Sequence, residues 1–120
     1  MSNARAFTDL IAVNKALEAA GDAITLVRRV SAPLKSIADQ VIRSASSVPA
    51  NLAEGHGRSG RDRLHLWRIA YASAKEVDCH LRLLARAGVV NVDKAEKAEK
   101  ALEIFDQVRA MTWRLLNPKT

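Results

Sequence analysis

Apolar residues recur at intervals of three and four along almost the whole chain of 120 residues, and this spacing restricts the fold more than any other feature. Residues three or four positions apart share one face of an α-helix, so the pattern predicts helices throughout. The chain has only five glycines and three prolines, which are too few turn residues for an all-β fold with many short strands. The sequence therefore predicts an all-α protein.

Interruptions of this pattern divide the chain into four predicted helices of about 20 residues, over residues 7–30, 34–55, 60–87 and 92–116. Helices of this length with short connections form antiparallel up-and-down four-helix bundles. The length is that of one domain, so we expect residues 1–120 to form a single four-helix-bundle domain. Pro49 lies inside the second predicted helix, where its missing N–H predicts either a kink or a break into two short helices.

The predicted first helix carries one apolar stripe, which we expect to face the core. Its members are Leu10, Ile11, Leu17, Ile24 and Val27. The predicted third helix has two stripes, one containing Trp67 and another containing Val77. A bundle helix needs only one buried face, so the second stripe indicates either burial against another subunit or a wide core face. Trp67 and Trp113 are expected to anchor a core or an interface.

Positive charge is concentrated in one part of the chain. The formal net charge is +6, and residues 61–88 hold six basic and three acidic residues. Such a charge favours polyanionic partners, nucleic acid before a membrane surface. Arginine suits paired hydrogen bonds with phosphate, so the cluster is interpreted either as an anion-binding patch or as a solvated face. The residues predicted to contact phosphate are Arg58, Arg61, Arg63 and Arg68, with Arg43 and Lys75 as extensions of the patch.

Patterns that indicate catalysis, a metal site or a cofactor are poorly supported. Cys79 lies in an apolar helical stretch, which is typical of an inert buried thiol. Cys79 and His80 are adjacent in a helix and do not easily face one ion. The string Gly55-x-Gly57-x-x-Gly60 matches the dinucleotide-binding fingerprint, but that fingerprint works only after a strand. We therefore expect a non-enzymatic protein with no catalytic residues, no metal ligands and no cofactor.

Cysteine content and hydropathy suggest a compartment. A single cysteine cannot form an internal disulfide, so a reducing cytosol is the default environment. The longest stretch without Asp, Glu, Lys or Arg is residues 44–53, whereas a membrane-spanning helix needs about 20 apolar residues. The sequence shows neither a signal peptide nor a lipidation motif. We expect a cytoplasmic protein with no membrane partner.

The middle of the chain resembles the signature of a bacterial four-helix-bundle family. Residues 40–58 read Gln-Val-Ile-Arg-Ser-Ala-Ser-Ser-Val-Pro-Ala-Asn-Leu-Ala-Glu-Gly-His-Gly-Arg. They are similar to the family pattern Gln-hydrophobic-Arg-Arg-Ala-x-x-Ser-Ile-Pro-x-Asn-Ile-Ala-Glu-Gly-x-Gly-Arg. The family includes proteins encoded in intervening sequences of large-subunit ribosomal RNA genes, and the accessory variability proteins of diversity-generating retroelements. The likeness covers most of residues 9–90.

The resemblance implies an antiparallel bundle that assembles as a ring-like homopentamer. It also implies, from the retroelement members, a basic surface that binds nucleic acid and a partner reverse transcriptase. Arg43 and Arg58 are implied to be polar or basic surface positions. Two functions are predicted: a non-enzymatic homo-oligomer that binds the backbone of RNA or DNA, or an assembly module that binds a protein partner, its basic charge being incidental. The positions implied to be structural signature residues are Asn51, Glu54, Gly55 and Gly57.

Overall fold

The computed structural model describes residues 4–89 and 92–118, with the side chains of residues 10–89 and 94–118. These residues form four α-helices and no strand, so the all-α prediction is confirmed. The helix limits lie within three residues of the predicted ones. The helices are α1 (Ala4–Val27), α2 (Lys35–His56), α3 (Gly60–Arg86) and α4 (Val92–Leu116).

The four helices pack in a cyclic order around one core. α1 contacts α2 and α4, and α3 contacts the same two helices, with the most extensive contact between α2 and α3. A helix of 22 residues is about 33 Å long. The three residues between α2 and α3 cannot span that length, so these two helices run antiparallel. The arrangement is an up-and-down four-helix bundle.

Alanines, rather than the large apolar residues, form most of the buried face of α1. The prediction for this helix is wrong at Leu10 and Leu17, whose side chains are 52% and 56% exposed. Val27 is buried as predicted, and Ile11 and Ile24 are half-buried. Small side chains let α1 approach α2 and α4 closely, which turns the two leucines outward. The buried alanines of α1 are Ala12, Ala16, Ala19, Ala20 and Ala23.

α2 continues without a break through Pro49, which is buried. The alternative of two short helices is therefore wrong. The proline ring has no N–H to donate to the carbonyl of Ala45. The nearby Ser44 hydroxyl donates to the carbonyl oxygen of Gln40 at 2.7 Å, one turn earlier, and so supports the turn before the proline.

The buried face of α3 includes members of both predicted stripes, Trp67 of one and Val77 of the other. Leu64, Leu66 and Ile69, which also belong to the stripes, are half-buried, so the core covers each stripe in part. Trp67 lies fully inside this face, whereas Trp113 of α4 is 52% exposed. Cys79 is also exposed, so the prediction of a buried thiol is wrong. Twelve residues separate Cys79 from Trp67, which places it about 120° round the helix axis from Trp67 and on the side away from the core. The buried residues are Trp67, Ala70, Ser73, Ala74, Val77, Leu81 and Leu84.

Candidate nucleic-acid interface

The connection between α2 and α3 is organised around the indole of Trp67. Its Nε1 donates to the carbonyl oxygen of Leu52 at 3.4 Å. Gly55 lies against the same ring, because a Cβ built on it would be 2.6 Å from both Cδ1 and Nε1 of the indole. Only a residue without a side chain permits this approach, which explains the signature glycine. Gly57 follows the helix with a φ of −82°, which any residue can adopt.

Arg63 is part of the same connection. Its Nε donates to the carbonyl oxygen of Gly55 at 3.1 Å, and its Nη2 donates to that of His56 at 2.9 Å. The guanidinium carbon also lies 5.2 Å from the Trp67 ring centroid. The last carbonyls of a helix have no partner within the helix, and a cation at this end is favoured by the helix dipole. This predicted phosphate-binding residue thus caps α2.

The remaining signature residues make short polar contacts along α2. Nη2 of Arg58 lies 3.1 Å from Oε2 of Glu54, in an exposed ion pair one turn apart. Nδ2 of Asn51 donates to the carbonyl and hydroxyl oxygens of Ser47, at 2.8 and 2.9 Å. The Ser47 hydroxyl accepts a further bond from Ser73 of α3, which links the two helices. Asn51 therefore fixes a polar bridge at the α2–α3 interface.

Three of the predicted phosphate-binding residues share one outer face of α3. Arg61, Arg68 and Lys75 are exposed and follow one another at intervals of seven residues, which is two helical turns or about 10.5 Å. We call these three residues the basic row. In the described part of the chain no carboxylate pairs with either arginine. Arg82 extends the series, but it is paired with Asp78 at 2.6 Å, and this hydrogen bond raises the pKa of its guanidinium.

The other three predicted residues do not join this face. Arg43 is exposed on α2, two positions beyond the buried Val41 and so on the far side of that helix. Arg58 lies in the connection after α2, and Arg63 is turned toward the end of α2. The structure thus divides the predicted patch into the basic row and three separately placed arginines.

An aromatic pair, the half-buried Tyr71 and the exposed Trp113, lies beside the basic row and was not predicted from the sequence. The ring centroids of Tyr71 and Trp113 are 6.0 Å apart, and the planes are inclined by 43°. Nζ of Lys75 lies 5.7 Å from the Tyr71 centroid, within the range of a cation–π contact. The two aromatic residues belong to different helices, so only the packing of α3 on α4 brings them together. The sequence indicated only one part of this arrangement, the proximity of Tyr71 and Lys75, which are four residues apart on α3.

A groove between α3 and α4 continues from this pair. Arg109, one turn before Trp113 on α4, donates to Asp106. The pKa of Arg109 is raised, first by that hydrogen bond and second by the neighbouring Tyr71. The groove holds a cavity of about 200 Å³ that also contacts Lys75. Its walls carry charged groups of both signs.

Metal ligands and membrane spans are not found in the described ranges. Among those residues no group of three or more His, Cys, Asp and Glu side chains is placed to hold a metal ion. Likewise, no helix within residues 4–89 and 92–118 has both the length and the apolar character that crossing a membrane requires.

The fold and this face define an all-α four-helix bundle with a basic row beside an aromatic pair. The family model described as 23S rRNA-intervening sequence protein matches residues 8–112, and the chain belongs to this family. The predicted similarity to proteins encoded in intervening sequences of ribosomal RNA genes is thereby confirmed.

The fold is also that of a solved structure. A protein of unknown function from the S23 ribosomal protein family of Bacteroides thetaiotaomicron superposes with a TM-score of 0.78 at 23% sequence identity. The alignment covers 91% of this chain and 97% of that one, and at this identity it supports the fold alone. A comparison with curated proteins gives no match.

Proposed function

We propose that this protein is a non-enzymatic, homo-oligomeric helical bundle that binds the phosphate backbone of nucleic acid through the basic row. The observation that carries the proposal is the alignment of three exposed cations on one face of α3. Their spacing of about 10.5 Å corresponds to about three steps of a nucleic-acid strand, which rises about 3.4 Å per residue. One strand running along α3 can therefore meet all three cations.

Binding of this kind is directed at phosphate and depends on salt. Each phosphate that a cation neutralises releases condensed counterions, and affinity falls as the salt concentration rises. Arg61 and Arg68 are suited to this contact because no carboxylate in the described residues competes for their guanidinium groups. Arg63 contributes less, since its donors are directed to backbone carbonyls.

Replacing all three residues of the basic row by glutamine is expected to lower affinity for RNA and DNA by about 100-fold at low salt. The physical reason is the loss of three phosphate contacts, which also lowers the slope of log affinity against log salt by about 2 to 3. The measurement is fluorescence anisotropy of labelled RNA and DNA over a salt series, with wild type and variant side by side.

A matched control removes the same charge elsewhere. Arg28, Arg29 and Arg86 are exposed at the opposite end of the bundle from the α2–α3 connection. Their joint replacement by glutamine is expected to change affinity by less than about threefold, through net charge alone. Equal losses in both triple variants contradict a binding site on the basic row. No binding by the wild type, even at low salt, rejects the proposed function and favours the protein-binding module.

Self-association is supported by the exposed leucines of α1. Leu10 and Leu17 are seven residues apart on one face, and the half-buried Val13 and Ile24 continue the same stripe. This spacing is that of a coiled-coil seam. Large apolar side chains grouped on a surface mark an interaction site, and a second copy of this chain is the occupant we propose. Five copies are proposed from the family resemblance.

The double substitution Leu10→Gln and Leu17→Gln is expected to reduce the assembly to a species of 13.1 kDa. The polar amides remove the apolar area that would be buried between subunits. Light scattering measures the molar mass, and circular dichroism checks that the helices are retained. The control is Leu83→Gln, which alters a leucine of similar exposure on α3. A double variant with the molar mass of the wild type shows that this stripe is not the interface.

A further inference from the structure

We infer that Tyr71 and Trp113 form a stacking platform for the unpaired bases of a single-stranded nucleic acid whose backbone follows the basic row. This inference rests on the proposed function, because the row supplies the backbone contact. It adds a preference for single strands, which a row of cations does not provide by itself.

The exposure of Trp113 is the first observation. Of the two tryptophans, Trp67 is completely buried in the core, whereas Trp113 keeps about half of its surface accessible. Its contact with Tyr71 of α3, at a centroid distance of 6.0 Å, holds the indole beside that ring. A large, exposed and positioned aromatic side chain offers a planar face on which any base can stack.

The charges around the two rings are the second observation. Lys75 lies over the Tyr71 ring at 5.7 Å, and Arg68 is one turn before Tyr71 on α3. Arg109 is one turn before Trp113, and its charge is partly balanced by Asp106. A nucleotide combines a planar aromatic base with an anionic phosphate. The surface around Tyr71 and Trp113 also combines aromatic rings with nearby cations, so its chemistry is complementary to a nucleotide.

The geometry favours a single strand over a duplex and over a two-fold contact between copies of this chain. In a duplex each base is already stacked between its neighbours, so an aromatic side chain gains access only to unpaired bases. A two-fold contact between copies would place Arg68 and Lys75 against the same residues of the other copy, and like charges in contact are costly. In a ring, this surface would instead meet a different surface of the next copy, and the molar mass of Trp113→Ala detects that contact.

The test compares Trp113→Ala with the wild type on an unlabelled oligothymidylate of about 12 nucleotides and on a duplex of the same length. The expected result is a loss of about tenfold in single-strand affinity, with duplex affinity changed by less than about twofold. Trp113→Phe, which keeps a ring, is expected to restore most of the affinity. Affinities are measured by titration calorimetry, because Trp113→Ala is expected to remove the quenching of tryptophan fluorescence that the single strand is expected to cause in the wild type. Leu83→Ala is the control for a lost exposed side chain.

The outcomes separate this inference from the proposed function. Unchanged single-strand affinity in Trp113→Ala, together with a large loss in the basic-row variant, overturns the stacking platform and leaves backbone binding intact. A lower molar mass of Trp113→Ala in light scattering, with affinity unchanged, identifies the pair as a subunit contact and also overturns the platform. Full affinity in the basic-row variant rejects the proposed function, whatever Trp113→Ala does.

Discussion

Replacing Trp67 by alanine is expected to lower the free energy of unfolding by about 3 to 5 kcal/mol, the cost of removing a large buried aromatic side chain. The indole is fully buried between α2 and α3, the two helices with the most extensive contact. Its loss leaves a cavity, removes the bond to the Leu52 carbonyl and deprives Arg63 of the ring over which it lies. Urea unfolding followed by circular dichroism measures the change.

The other tryptophan is the matched control for this prediction. Trp113 is half exposed on α4, so Trp113→Ala is expected to cost less than about 1 kcal/mol. Both variants are compared with wild type at one protein concentration, since the proposed self-association would add a concentration-dependent term to stability. A loss for Trp67→Ala no larger than that for Trp113→Ala contradicts the placement of Trp67 in the core.

Replacing Gly55 by alanine is expected to lower the free energy of unfolding by about 1 to 3 kcal/mol, the usual cost of overpacking a core. The added Cβ would lie 2.6 Å from two atoms of the Trp67 indole, and such a distance forces the ring or the helix to move. The indole cannot move easily because it is enclosed on all sides. The loss occurs although alanine is better than glycine in a helix by about 1 kcal/mol. The same urea titration measures it.

Gly21 provides the opposite control within the same chain. It lies inside α1, is exposed, and an added Cβ has no neighbour within 4 Å. Gly21→Ala is therefore expected to raise the free energy of unfolding by about 0.5 to 1 kcal/mol, because alanine loses less backbone entropy in a helix. Changes of opposite sign in the free energy of unfolding, at Gly55 and Gly21, support the close approach of α2 and α3. A stabilised Gly55→Ala shows that the two helices lie further apart than described.

The arginines show how one residue type serves different roles in this fold. In the sequence, Arg61, Arg63 and Arg68 belong to one dense basic cluster. In the structure Arg63 caps the end of α2, whereas Arg61 and Arg68 point outward on α3. Side chains of residues two positions apart on a helix point in directions that differ by about 200°, so close neighbours in sequence lie on different faces. Density of charge along the chain therefore overestimates the number of residues available to one ligand.

Local spacing was sufficient to predict the helices and their order. The intervals between apolar residues and the interruptions of that pattern are local signals, and they predict where helices begin and end. Short connections between long helices then allow only antiparallel neighbours. The signature over residues 40–58 identified the family for the same reason, because it is one continuous segment.

The choice of buried faces was decided by the tertiary structure alone. On α1 both an alanine face and a leucine stripe have helical spacing, and hydrophobicity favours the leucines. The bundle buries the alanines because small side chains let three helices approach closely, which leaves Leu10 and Leu17 on the surface. The pairing of Tyr71 with Trp113 also depends on how α3 packs on α4. Periodicity describes one helix at a time, whereas burial depends on its neighbours, so the proposed contact surfaces follow only from the packed bundle.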